Sequence, residues 1–142
     1  MFNTIVLALD GSKESRQAIP LATELARQGG GRIVIAHIQQ DMAGKSGGPI
    51  AAKEDEIQAD IRKQAEELSA DGIETSVEMR EVMLEGAAHA IVEIAKGANA
   101  DLIVAGTRGH STLAGLLLGS VTQRLLHIAR CPVLVAPTTD RS

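Results

Sequence analysis

Leu102-Ile103-Val104-Ala105-Gly106-Thr107-Arg108-Gly109 and, nine residues further on, Gly119-Ser120-Val121-Thr122 decide how this chain is read. Leu102 to Ala105 is a short apolar run of the kind that forms a strand covered on both faces. From Val121 to Ile128, the residues Val121, Leu125 and Ile128 share one helical stripe. A glycine-punctuated loop therefore joins the carboxyl end of a strand to the amino end of a helix. Glycine lets backbone approach a ligand closely. The first turn of a helix offers unpaired N–H groups and a positive dipole end to an anion. The spacing is neither the dinucleotide fingerprint nor the Walker P-loop, so it predicts a phosphate-binding loop of another kind. In that reading Gly106, Gly109 and Gly119 bring backbone close, and Ser120 donates its hydroxyl and N–H. Thr122 adds a hydroxyl to phosphate or to a water on Mg²⁺, and Arg108 is the cation of the loop. Plain loop glycines, a Ser120 N-cap and a solvated Arg108 are the competing readings. A connection of about a dozen residues is longer than most, which weighs toward the phosphate.

Working outward, Ile5 to Leu9 and Ile33 to Ile38 are two further buried strands. A helical pattern from about Lys13 to Arg27 lies between them, with Pro20 inside it and Gly29-Gly30-Gly31 ending it. Gln39 to Pro49 is rich in Gly and predicts a surface loop. Ile57, Ile61, Ala65 and Leu68 predict a second helix, and Asp71-Gly72 a turn. Ile73, Thr75, Val77 and Met79 alternate with Glu74, Ser76, Glu78 and Arg80, as in an edge strand with one polar face. Ala87 to Ala95 predicts a third helix. Pro132 to Ala136, bracketed by Pro132 and Pro137, predicts a last strand at the other edge. Strands alternating with helices give an α/β fold, an open five-stranded parallel sheet with helices on both faces.

The pattern Gly-x2-Gly-x9-Gly-Ser after a hydrophobic strand resembles the ATP-binding signature of universal stress proteins. The resemblance extends to Ile5-Val6-Leu7-Ala8-Leu9-Asp10-Gly11-Ser12 and to Arg130-Cys131-Pro132-Val133-Leu134-Val135. It thus covers essentially the whole chain as one domain, residues 1–142. It implies a Rossmann-like sheet of order 3-2-1-4-5, whose winding reverses between the first and fourth strands, where ligands of open α/β sheets sit. Asp10 ends the first strand and Gly106 follows the fourth, so both point to that crevice. From chemistry alone Asp10 caps the first helix or accepts from a ribose hydroxyl. The resemblance favours the ribose, with Ala8 and Leu9 in the neighbouring pocket and Ile38 on the adenine side. Ala105 stands where the family often has a larger residue, which loosens the base pocket. Gly119, Ser120, Val121 and Thr122 form the phosphate end.

The same resemblance implies ATP, with Mg, as the bound cofactor and a cytoplasmic homodimer acting as a nucleotide-dependent regulator of an unidentified protein partner. Phosphate would order the loop from Gly106 to Leu118, and hydrolysis would be slow. The dimer has a separate argument: Val133, Leu134 and Val135 form an apolar edge strand, which invites pairing with its copy. A nucleotide-independent interaction dimer and a slow ATPase or phosphotransfer enzyme are the alternatives.

Composition bounds these readings. The chain has 142 residues, 44% of them hydrophobic, with net charge −4 and no basic run, which argues against a nucleic-acid partner. Aromatics are 1%, so stacking platforms for bases are lacking. No apolar run approaches the length of roughly 20 residues that spans a bilayer, and the start does not read as a secretory leader. The single Cys131 forms no internal disulfide and fits a reducing compartment, where it packs as a small hydrophobe. Gly44-Lys45-Ser46 lacks the first glycine of a Walker loop, since Gln39 stands in its place. Ser46-Gly47-Gly48 lacks the Asp-Ser of the ATP pyrophosphatase loop. His37 reads as a hydrogen-bonded core histidine. His89, His110 and His127 show no metal-ligand spacing.

Overall fold

A computed structural model describes residues 2–41, 48–83, 86–107 and 118–137. The strands are β1 (Thr4–Ala8), β2 (Arg32–Asp41), β3 (Thr75–Met83), β4 (Leu102–Gly106) and β5 (Val133–Ala136). The helices are α1 (Lys13–Arg16), α2 (Ala18–Gly29), α3 (Gly48–Ala70), α4 (Ala87–Gly97) and α5 (Ser120–Ile128). All strand pairs are parallel, and their order is β3-β2-β1-β4-β5, as expected.

Side chains alternate across the sheet and build a core on each face. On one face Ile5, Leu7, Ile33, Ile35 and Val104 meet Ala18, Ala22 and Ala26 of α2 and Ile61, Ala65 and Leu68 of α3. On the other, Val6, Val34, Ala36 and Ile103 meet Ala88, Ile91 and Ile94 of α4 and Leu125 of α5. The central strands are therefore apolar where helices cover both faces, at Ile5 to Leu7, Ile33 to Ala36 and Leu102 to Ala105, whereas the edge strand β3 alternates.

Three local details differ from the sequence expectation. The first helix is two: α1 stops at Arg16, Gln17 intervenes, and α2 starts at Ala18. Pro20 explains the break, because it has no N–H for the Arg16 carbonyl four residues back and its ring crowds that oxygen. Strand β2 does not stop at Ile38. It continues through Gln39, Gln40 and Asp41, which pair with Glu81, Val82 and Met83. Helix α3 begins at Gly48, so Pro49 falls in its first turn, where a missing N–H is no loss. The segment expected to be a loop is thus partly strand and partly helix.

Helices α2, α3 and α4 end alike. In α3 the Gly72 N–H donates to Ser69 and the Ile73 N–H to Leu68, with Gly72 at φ +91°. Asn99, at φ +54°, fills the same place after α4. The amino ends of the strands are closed by side chains bonded to backbone. The Asp101 carboxylate accepts from the N–H groups of Asn3 (2.8 Å) and Thr4 (3.1 Å). Arg32 donates to the Thr4 hydroxyl (3.2 Å) and the Ala98 carbonyl (3.0 Å).

Candidate functional site

The carboxyl ends of the strands are uneven. β1 ends at Ala8, paired with Ala36, while β2 and β3 stay paired as far as Asp41 and Met83. The last rung between β1 and β2 is the Leu9 N–H on the Ala36 carbonyl at 3.0 Å. The Ile33 N–H points the other way, to Glu74 at 2.9 Å. Alternation from these two residues turns the N–H and C=O of Ile38 to the β1 side, beyond the end of β1. A cleft of about 550 Å³ opens there, between the overhanging β2 and the end of β4.

The turn after β1 forms the near wall. The Asp10 carboxylate accepts from the Ser12 N–H at 2.9 Å and from the Ser12 hydroxyl. Ser12, not Asp10, is the N-cap of α1, and its hydroxyl oxygen accepts from the Ser15 N–H at 3.1 Å. Asp10 is therefore oriented as the acceptor of a tight turn at the cleft, so the capping alternative is corrected to Ser12. Gly11 adopts φ +88°, and a Cβ there would lie 2.8 Å from Ile57 Cγ2 of α3. Only glycine suits both the backbone angle and that contact.

The far wall comes from β4 and α5. A Cβ on Gly106 would lie 2.4 Å from the Glu14 carbonyl oxygen of α1. Gly106 thus lets α1 approach β4. The residue also lines the cleft, so this packing role stands beside the one expected of it toward a ligand. The Gly119 N–H donates to the Thr107 carbonyl at 2.7 Å, so that amide already has an internal partner. The first intrahelical bond of α5 is Gln123 N–H to Gly119 O at 3.0 Å. The amides of Ser120, Val121 and Thr122 precede it, at the positive end of the helix dipole. The Thr122 hydroxyl donates its proton to the Gly106 carbonyl at 2.9 Å. Only a donor, such as a metal-bound water, can meet the lone pairs that remain.

His37 and Glu54 close the cleft on the α3 side. His37 is 2% exposed. Its Nδ1–H donates to the Leu9 carbonyl at 2.8 Å, and its Nε2 lies 2.7 Å from Glu54 Oε2. The reading of His37 as a bonded core histidine holds. Its carboxylate partner was not foreseen, because nothing in the sequence relates a strand to the next helix across the intervening segment.

Of the residues singled out from the sequence, Ala8, Leu9, Asp10, Ile38, Ala105, Gly106, Gly119, Ser120, Val121 and Thr122 come together around this cleft. Arg108, Gly109 and most of the Gly106–Leu118 loop lie outside the described residues. The cleft also recruits Gln39, Gln40, Lys53 and Ile57. The overhang of β2 and the early start of α3 put them there. Among the described residues no group of three His, Cys, Asp or Glu side chains could hold a metal ion. Likewise among them, no helix is long and apolar enough to cross a membrane. Cys131 packs beside the α4–α5 core, as expected, and burial together with the nearby Asp101 carboxylate pushes its thiol pKa up.

The model of the universal stress protein family matches residues 1–137. A universal stress protein of Thermus aquaticus, encoded 3′ of a QAH/OAS sulfhydrylase, is 36% identical over 138 residues, covering 95% of this chain and 98% of that one. A solved universal stress protein in complex with cAMP is 30% identical at TM-score 0.65, covering 97% of this chain and 98% of the other. A universal stress protein from Archaeoglobus fulgidus, solved in complex with dAMP, shares the fold at TM-score 0.63 and 22% identity, covering 95% of this chain and 97% of its own. With a matching sheet order, a match over nearly its full length and relatives at this identity, the chain belongs to the universal stress protein family.

Proposed function

We propose that the cleft binds ATP, with Mg²⁺ carried on the triphosphate, and that the protein is a nucleotide-dependent regulator with slow hydrolysis. The observation that carries this reading is the pairing of two features across one cleft. The unextended side of β2 offers the Ile38 N–H and C=O, and the first turn of α5 offers a row of amides. An adenine edge presents one acceptor and one donor side by side, N1 and the N6 amino group, which complement a backbone N–H and C=O. Ala8, Ala36, Ala87 and Ala105 leave room for the base within about 550 Å³. Asp10, held by Ser12, faces the ribose. The amides of Ser120 and Val121 and the Ser120 hydroxyl face the phosphates, with Arg108 and Gly109 in the loop that precedes α5. The relatives with cAMP and dAMP support an adenine nucleotide at this fold.

Magnitudes set the affinity. Hydrogen bonds to a charged group contribute roughly 1.5–3 kcal/mol each, and three or four give about 5–12 kcal/mol before losses. Ordering a loop costs on the order of 1 kcal/mol or more per residue. A Kd near 1 μM corresponds to about 8 kcal/mol, which is the range proposed. The donor set suits phosphate better than bare metal, so Mg²⁺ keeps its waters and its phosphate oxygens. Slow hydrolysis is the reading that the cleft's two carboxylates among the described residues support. Asp10 is bonded to Ser12 and Glu54 to His37, so each carboxylate already has a partner that competes with a role as base.

We further propose a cytoplasmic homodimer through β5, whose Val133, Leu134 and Val135 are only partly buried. Titration calorimetry with MgATP tests the binding; no heat at about 1 mM ligand, far above the Kd range in question, overturns it. The chain has no Trp or Tyr, so nucleotide released on denaturing the purified protein is conspicuous at 260 nm.

A further inference from the structure

We propose that His37 and Glu54 are positioning residues of this cleft, forming a relay from Leu9 through His37 to Glu54 that couples nucleotide occupancy to helix α3. The proposal rests on the nucleotide reading above. The Leu9 carbonyl can only accept, so Nδ1 of His37 carries a proton. The contact from Nε2 to Glu54 Oε2, 2.7 Å long, then needs one proton shared between ring and carboxyl group. The same carboxylate oxygen accepts from Gln58 Nε2 at 2.9 Å, one turn further along α3. The helix end of the relay is thereby stiff.

The turn it grips is the one that presents Asp10. The Leu9 N–H is fixed on Ala36 at 3.0 Å and the Asp10 N–H on the Ser15 hydroxyl at 3.2 Å. The next residue, Gly11, lies directly under Ile57 of α3. Helix α3 thus touches the Leu9–Gly11 turn at two points, one polar through His37 and one apolar through Ile57. A ligand that draws on Asp10 must load both contacts.

The sheet does not need this relay. Pairing of β1 with β2 is complete at Ala8 and Ala36, and His37 pairs in the ladder with Met79. An apolar residue of similar volume would fill the same buried space without desolvating a polar pair. Positioning of the turn accounts for a buried histidine paired with a partly buried carboxylate at this place.

Hydrogen exchange of the full-length chain with and without MgATP, in wild type, Glu54→Gln and Glu54→Ala, tests the coupling. In wild type, MgATP is expected to slow the amides of 53–58 together with those of 120–123. In Glu54→Ala the response of 53–58 disappears and ATP affinity falls about tenfold, the weight of one charge-assisted bond. In Glu54→Gln both are largely restored, because the glutamine NH2 group donates to Nε2 and, with its second hydrogen, to the amide oxygen of Gln58 once that side chain turns over. Slowing of 120–123 with 53–58 unchanged in wild type overturns the coupling without any variant, even if Glu54→Ala does not fold. Equal damage from Gln and Ala overturns it too, since a lost hydrogen bond would then not be the cause. If MgATP gives no heat and slows neither segment in wild type, the nucleotide reading itself fails and the relay falls with it.

Discussion

Thr122 Oγ1 donates to the carbonyl oxygen of Gly106 across 2.9 Å, which ties the first turn of α5 to the last residue of β4. Both groups are buried, so the bond is shielded from water, and removing the donor leaves a carbonyl unsatisfied. Thr122→Val keeps the shape and deletes the hydroxyl. We expect a loss of about 1–3 kcal/mol, the usual cost of orphaning a buried acceptor. Urea denaturation should show a lower midpoint at unchanged slope; an unchanged midpoint would mean that the hydroxyl lacks this role.

Glycines in different surroundings separate strain from packing. Gly72 and Gly11 have nearly equal angles, φ +91° and +88°, but a Cβ at Gly72 meets nothing within 4 Å. Gly72→Ala should cost about 1–2 kcal/mol from the backbone angle alone. Gly11→Ala should cost more, by roughly 1–3 kcal/mol of overpacking against Ile57. Gly106→Ala meets backbone, which cannot rotate away, and should be the most damaging of the three. Thermal midpoints in the order Gly72→Ala above Gly11→Ala above Gly106→Ala check this; any inversion contradicts the packing described.

Asp101 links two observations that a single variant tests. Its carboxylate accepts two backbone N–H groups and also raises the Cys131 pKa, second to burial. Asp101→Asn should destabilise the fold and bring the thiol back toward its ordinary range. Alkylation of Cys131 near pH 8 should therefore be slower in wild type than in the variant. The sign for stability follows: a folded-state pKa above the unfolded one gives a contribution intact below the unfolded cysteine's pKa. That contribution is lost as pH rises through the folded value. Equal alkylation rates would show that Asp101 does not act on the thiol.

Strand β5 leaves one edge of the sheet open, with Val133, Leu134 and Val135 half-buried. The proposed pairing of two copies predicts a dimer by sedimentation at micromolar concentration. A monomer under those conditions removes the β5 interface.

Much of the fold was legible because its central strands are short and mostly apolar: Ile5 to Leu9, Ile33 to Ile38 with His37 as the one polar residue, and Leu102 to Ala105 read as buried strands. The sheet order came with the family resemblance, not from the residues. What escaped the sequence is the overhang of β2. Gln39, Gln40 and Asp41 look like loop because hydrophobic patterning marks only strands that face a core, and these pair with β3 beyond it. Pro20 was visible as a disturbance, but whether it bends a helix or divides it depends on the carbonyl of Arg16. In the site, types and spacing found both walls of the cleft. They did not find Glu54, whose relation to His37 is purely spatial, nor the internal use of Gly106, Gly119 and Thr122.

The sheet handles its two ends differently. At the amino ends, Asp101 and Arg32 saturate exposed main-chain groups, whereas at the carboxyl ends Ile38 and the first turn of α5 leave theirs turned outward. Tolerance to mutation should be divided the same way. Sequence drift or engineering that hardens the sealed pole can proceed without disturbing the opposite pole, where nucleotide binding is proposed, so stability and the proposed recognition are free to evolve separately in this molecule.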